Sequence, residues 1–446
     1  MSQALGGLNN STVSIRSGRR WKKGKLVNPT VPEPSLEMAS VFSYIPIVNR
    51  FVGASESSSI NIPPIEVHHV ETAPEKRPRT LKHLLRANHV NHSIIYHNLQ
   101  FDNHLPHILC SAYHLGANDK QLHTIYDAEI KELEPWKPSP QEVVMSDWRD
   151  FLGDKRYQRA YVDFFEDSMA MTHNYEWKKV VEQFMFEGDE PLVNGLIGGL
   201  GHPLIHLGYA YEFNSREVAM EALGLAATQY NFLHKYLDNP VYTRTSSFKS
   251  TSPLELFHRI ASDSRFDGLF SEPTLGNLDV LFEKHEDLVM EYWNAWSLEN
   301  PVKQFQDSQE AAVAFLVASV PPGTHSYNFF ICHVLTTSHA VRVLLPIIPK
   351  KFHINLVREW WLLAVAVYIS ELRPKIDPDY IPSGDGGAKR WNYVEDKALN
   401  GPFSTDAHFV KAVRTMKEAA RTWGDVHERY LASAVRFVDD FQGWSF

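Results

Sequence analysis

Residues 278–296, LDVLFEKHEDLVMEYWNAW, decide the fold class. Leu278, Leu281, Phe282, Leu288, Val289, Tyr292, Trp293 and Trp296 recur at the three- and four-residue steps of one helix face, and Pro273-Thr274 supplies a start. The spacing returns in Phe409, Val410, Val413, Met416 and Ala420, with Ser404 as the expected N-cap and Gly424 as the stop. Residues 219–237, 311–320, 329–345 and 354–372 are further predicted helices, the last ended by Pro374. Strand-like alternation is scarce. The sequence thus predicts a mainly α protein: a large single helical domain over residues 76–446, behind an irregular N-terminal arm over 1–75. The arm is rich in Gly, Ser and Asn, carries a basic knot from Arg16 to Lys25, and is broken by Pro29 and Pro32. A basic, acid-poor beginning also suits a transit peptide, but no amphipathic Arg-rich helix follows Met1 and no secretory core is present. The expected location is the cytoplasm.

Composition excludes several classes. The 446 residues carry a net charge of −9, the wrong sign for a general nucleic-acid binder. The two cysteines, Cys110 and Cys332, cannot build a disulfide framework and suit a reducing compartment. The longest apolar run, 360–369, is half of the ~20 residues a membrane span needs. The glycine-rich stretch GLIGGLGHP (195–203) does not fit a dinucleotide fingerprint, and neither a P-loop, a G-x-S-x-G elbow nor C-x-x-C occurs.

The 22 histidines carry the chemical signal. Three segments set them in apolar helical pattern: NHLPHILC (103–110), GHPLIHLG (201–208) and FFICHVL (329–335), with His339 further on. His104 and His107 are spaced i,i+3, and His202 and His206 i,i+4, so each pair shares a helix face. Pro106 and Pro203 belong in first turns, which puts each pair near a helix N-terminus. With His333 these would offer up to five imidazoles. A thiolate-free, imidazole-rich set suits redox iron better than structural zinc. The bland alternative is a set of hydrogen-bonded core histidines. Lys375, just past the most apolar predicted helix, is either a surface lysine or, if carboxylated, an anionic oxygen ligand. Glu212 is a candidate for a two-histidine, one-carboxylate set.

The stretches NHLPHILCSAYHLGA, GHPLIHLGYAYEF and FFICHVLTTSHAVRVLLP resemble the three signature segments of the questin oxidase-like family, fungal enzymes that oxidatively open anthraquinones. The resemblance runs from about residue 80 to the C-terminus. It implies an oxidoreductase of secondary metabolism, described as Baeyer–Villiger-type with NADPH, and aligns His104, His107, His202, His206 and His333 with the family's histidines. Combined with the residue reading, it implies Fe(II) on histidines activating O2 against a small aromatic polyketide, with Tyr113, Tyr209, Trp360 and Trp361 as candidate pocket walls. A metal-free NADPH-dependent monooxygenase, a non-catalytic polyketide-binding protein and an HD-type hydrolase are the competing classes.

Overall fold

The computed structural model describes residues 59–381 and 389–446. Residues 59–75 hold neither helix nor strand, and the first helix begins at Lys76; the rest of the expected arm, 1–58, lies outside the described residues. Seventeen α-helices follow. The first group is α1 (Lys76–Asn91), α2 (Leu105–His114), α3 (Asp119–Glu129), α4 (Gln158–Met171) and α5 (Trp177–Phe186). Next come α6 (Gly198–Phe213), α7 (Arg216–Thr228), α8 (Lys235–Asp238), α9 (Pro253–Ser262), α10 (Gly276–Lys284) and α11 (Glu286–Ala295). The last group is α12 (Pro301–Val317), α13 (Phe329–Leu344), α14 (His353–Ser370), α15 (Trp391–Asn400), α16 (Ala407–Trp423) and α17 (Arg429–Asp440). Two short ladders pair β1 (Ile95–Tyr96) antiparallel to β2 (Phe101–Asp102), and β3 (Ser326–Asn328) parallel to β4 (Gly443–Ser445).

The core is built on α13. Every residue from Phe330 to Leu344 is buried, so this helix is enclosed on all sides rather than amphipathic. It packs against α6 and α16; α2 packs against the same two helices. Four helices therefore close a ring, in the order α2, α6, α13, α16.

Three predicted elements need correction. The 278–296 helix is two helices, broken at His285, whose backbone leaves the helical region (φ −131°, ψ 24°). The 219–237 helix ends at Thr228, and only short turns continue it. Helix α16 is capped by Asp406, not Ser404: the Asp406 carboxylate accepts from the backbone N–H groups of His408 and Phe409. Residues 350–370 are long and apolar enough to cross a membrane by length and composition, yet 83% of their apolar window is buried inside the fold.

Candidate metal centre

Each helix of the ring contributes one imidazole. His104 is the residue that starts α2, with Pro106 in the first turn. His202 enters α6 directly after Gly199, Leu200 and Gly201, which have φ of 55°, 57° and 81°. This left-handed stretch requires its glycines. A Cβ on Gly201 would stand 2.3 Å from Thr337 Cγ2, and one on Gly199 would stand 2.7 Å from the Gln229 side chain. The turn also brings the Gly199 carbonyl to 2.5 Å from His202 Nδ1. The glycines Gly199 and Gly201 thus shape the turn that delivers His202. His333 lies in the first turn and a half of α13, and His408 is the second residue of α16.

The ligand nitrogens of His104, His202, His333 and His408 all lie within 4.8 Å of one another. His104 Nε2 is 2.8 Å from His202 Nε2, and His333 Nε2 is 3.2 Å from His408 Nε2. The opposite ring nitrogens decide the protonation. His104 Nδ1 faces the Asp102 carbonyl at 2.6 Å, His202 Nδ1 the Gly199 carbonyl, and His333 Nδ1 the Phe329 carbonyl at 2.9 Å. A carbonyl can only accept, so these three Nδ1 atoms carry the hydrogen and the three Nε2 atoms present bare lone pairs. Burial foremost, with the Lys411 ammonium and the neighbouring imidazoles adding to it, holds all four histidines below their ordinary value; Asp102 opposes this at His202 through its charge and at His104 through its carbonyl. Lone pairs facing each other at 2.8 Å repel unless a cation lies between them. A proton is disfavoured by the burial. A soft-to-borderline metal ion fits, because ligating histidines characteristically donate their other N–H to a carbonyl.

The second histidine of each predicted pair is not in this group. Three or four residues advance a helix by about 4.5–6 Å, so His107 and His206 lie a turn farther along. They meet each other instead, His107 Nε2 to His206 Nδ1 at 2.8 Å. The chain continues outward through buried groups: His206 Nε2 to Glu221 at 2.9 Å, Glu221 to His89 Nδ1 at 3.0 Å, and His89 Nε2 to the partly exposed Glu166 at 2.9 Å. Burial alone would lower the His89 pKa, but the two carboxylates raise it to about 10, so His89 is an imidazolium.

Lys375 is corrected outright. Its side chain is 78% exposed and its ammonium pairs with Asp377 at 2.8 Å, so it cannot reach a buried cluster. Glu212 is also elsewhere: it is ion-paired with buried Arg414 and faces His114 and His339 at 3.7 and 3.5 Å. Although burial works the other way, Arg414 first and the histidines next hold its carboxyl far below the usual range. Trp360 and Trp361 are fully buried core residues, their indole N–H groups donating to the carbonyls of Val334 and Tyr292. Tyr113 packs under the Arg77 guanidinium, and the Tyr209 hydroxyl is bonded to Ser111 at 2.6 Å. None of the four aromatics lines the cavity that opens onto the histidines. That cavity, about 440 Å³, is walled by Tyr96, Phe329, Phe403 and Trp444, and exposes His104 and His408 at its base beside Glu129 and Asp406.

Two residues escaped the sequence reading. His408 was readable: like His104 and His202, it is a histidine at a helix start. Lys411, one turn after His408, is buried, and its Nζ has no hydrogen-bond partner among the described residues. Burial lowers its pKa to about 8, against the pull of Cys332, Asp406, Asp102 and Glu129. A lysine in the middle of a helix that is otherwise buried from Ala407 to Met416 was the available signal.

The family model for questin oxidase-like proteins matches residues 101–416, which span all four histidines. Among curated relatives, the chain is 26% identical to the Baeyer-Villiger oxidase GME11358 of Pestalotiopsis microspora over 362 residues, 75% of this chain and 79% of that protein. It is 23% identical to a questin oxidase of Aspergillus fumigatus over 382 residues, 78% of this chain and 82% of that protein. It is 31% identical to the Baeyer-Villiger oxidase mdpL of Emericella nidulans over 185 residues, 40% of this chain and 42% of that protein. With the family's pattern matched along most of its length, the chain belongs to the questin oxidase-like family.

Proposed function

We propose that this protein is an oxygenase of fungal secondary metabolism that opens the ring of an anthraquinone-type aromatic polyketide, using iron held by His104, His202, His333 and His408. The names of its relatives support the oxidase class. One observation carries the metal: three carbonyl-anchored imidazoles and a fourth beside them turn their nitrogens to one point within 4.8 Å, in a site that disfavours protons. Ferrous iron bound there would supply the electrons that let O2, a triplet, react with a closed-shell ring.

The chain's own residues perform the remaining tasks. Tyr96, Phe329, Phe403 and Trp444 offer flat apolar faces suited to a fused-ring substrate. Phe329 packs on the rings of both His333 and His408, with centroids at 5.0 and 4.3 Å, so a substrate stacked on it would lie next to the cluster. With Lys375 at the surface, the buried Lys411 is the lysine that could supply an anionic oxygen ligand as its carbamate. A charged ammonium there would oppose metal binding; a neutral amine, or its carbamate, would not. The free, buried Cys110 and Cys332 suit a reducing cytoplasm.

The test is metal analysis of the purified protein together with O2 uptake on a hydroxyanthraquinone, with and without a chelator. About one iron per chain, and uptake that chelation abolishes and Fe(II) restores, is expected. A metal-free protein that consumes O2 with NADPH would overturn the iron reading and leave the histidines as core groups.

A further inference from the structure

Two carboxyl groups line the cavity beside the histidines, and they are not equivalent. Asp406 is committed to structure: it accepts from the N–H groups of His408 and Phe409, and from Trp444 Nε1 at 2.8 Å. The carboxyl of Glu129, the last residue of α3, makes no hydrogen bond or ion pair with any described residue, although the residue is only partly exposed and lines the cavity. A carboxyl group partly withdrawn from water and left unpaired by the protein is poised for a partner from outside it.

Its surroundings define that partner. The walls take a flat aromatic ring, and the other polar groups that line the cavity are the hydroxyls of Tyr96 and Thr405, the neutral imidazoles of His104 and His408, and the fully engaged Asp406. An anionic substrate group would meet two carboxyls. An ether or a methyl would leave Glu129 unsatisfied. A phenolic O–H would satisfy it.

We propose that Glu129 is the catalytic base of this site, accepting a hydrogen bond from a phenolic hydroxyl of the aromatic substrate and removing its proton. The phenol O–H bond breaks, a carboxyl O–H bond forms, and the electron pair stays on the phenolate oxygen. The ring carbons ortho and para to that oxygen become electron-rich, which is the state in which a ring is most readily oxidised. Glu129 then returns the proton to water at the cavity mouth. The inference rests on the reading of the site as an oxygenase of hydroxylated aromatics, and adds that the substrate must carry a free phenol.

The electrostatics agree. Burial, then Asp406 and Glu132, raise the Glu129 carboxyl to about 7 against the opposing Lys411 ammonium, near the working pH where an acid–base group is most effective. The other titratable groups turned toward it are Tyr96, His104 and His408. Tyr96 is raised to about 12, by burial first and then by Glu129 itself; His104 and His408 are held neutral. Burial raises the Asp406 carboxyl as well, but its backbone and Trp444 hydrogen bonds hold it back, so Glu129 is the cavity carboxyl without such bonds to stabilise its charge.

The experiment uses the full chain loaded with Fe(II), the variants E129Q and E129D, and two ligands: 1,3,8-trihydroxyanthraquinone, whose 3-hydroxyl is the one phenol not already bonded to the quinone carbonyl, and its 3-O-methyl ether, which lacks that free phenol. Wild-type kcat/KM for O2 uptake with the phenol should rise with pH through about 7. E129Q should lose about 100-fold at neutral pH, lose that pH limb, and recover at alkaline pH where the phenol ionises unaided. E129D should keep the limb. Without O2, wild-type protein should bind the phenol at least tenfold more tightly than the ether, and E129Q should bind the two alike. An E129Q protein with the wild-type pH profile and selectivity would overturn the proposal while leaving the oxygenase reading intact. A wild-type protein that binds the phenol selectively but never consumes O2 would overturn the oxygenase reading, and the base role with it.

Discussion

The Glu166–His89–Glu221 chain makes a quantitative prediction about stability. His89 is buried and sits 2.9 and 3.0 Å from two carboxylates. Its pKa rises from 6.5 to about 10 on folding. At about 1.4 kcal/mol per unit, this shift contributes roughly 5 kcal/mol when the imidazole is protonated in both states. The folded state holds the proton more tightly, so the contribution is fully present below pH 6.5 and is lost as pH rises through about 10. At pH 7.5 about 3 kcal/mol should remain, falling by roughly 1.4 kcal/mol for each further pH unit. His89→Gln removes the charge and keeps a polar side chain of similar reach. Urea unfolding of wild type and variant at pH 6, 7.5, 9 and 10.5 measures the difference. The gap should be greatest at pH 6 and close almost completely at pH 10.5, where wild-type His89 is itself neutral. A gap that stays constant from pH 6 to 10.5 would refute the charge argument and assign the loss to packing. No gap at pH 6 would refute the ionic chain altogether.

The four-histidine assignment predicts that His408→Ala loses most of its iron while His107→Ala keeps it, as read by metal analysis of folded protein. Gly201→Ala should cost several kcal/mol in urea unfolding and lower metal content, because its Cβ would stand 2.3 Å from Thr337 at a φ of 81°. Gly268→Ala, at φ 69° but with open space around it, should show backbone strain alone, about 1 kcal/mol. Lys375→Ala should leave iron content and O2 uptake unchanged and shift stability by no more than about 0.5 kcal/mol, whereas Lys411→Met should alter both readouts.

Much of the site was legible because histidines at helix starts are uncommon in an apolar setting. His104 and His202 were found that way, beside Pro106 and Pro203, and His333 by its place in an apolar helical segment. The i,i+3 and i,i+4 rule then said too much. It places two side chains on one face but not at one depth, and a cluster only 4.8 Å wide accepts one histidine per helix. The partners His107 and His206 became a second layer. His408 was hidden by one error of capping: with Ser404 as the cap the apolar pattern begins at Phe409, but Asp406 is the true cap and makes His408 the residue that enters the ring. Lys375 and Lys411 show a different limit. Both neighbour apolar sequence, but Pro374 turns the chain outward, while α16 is enclosed by α2, α13 and α17. Which lysine is buried depends on that enclosure. The tryptophans were expected at the pocket because the chain is rich in them; as the largest apolar side chains they are held in the core instead.

The distribution of charge around the cluster assigns its two sides different work. Behind the histidines, ionised groups are compensated: Glu212 by Arg414, and Glu221 and Glu166 by the His89 imidazolium. Glu221 in turn holds the His206 imidazole, at 2.9 Å. On the cavity side the pattern reverses. The side chains of Lys411 and Glu129 have no hydrogen-bond partner among the described residues, and burial shifts each toward neutrality, to about 8 and about 7. Leaving both uncompensated costs folding energy that a salt bridge or an apolar pair would have spared. Such a cost is retained where a group must meet something that arrives later. Lys411 lies toward the histidines and Glu129 toward the cavity, so the two unpaired groups lie on the sides where a metal and an aromatic substrate would enter. Proton movement therefore belongs to the front of the site, and the buried chain from His107 to Glu166 belongs to its support.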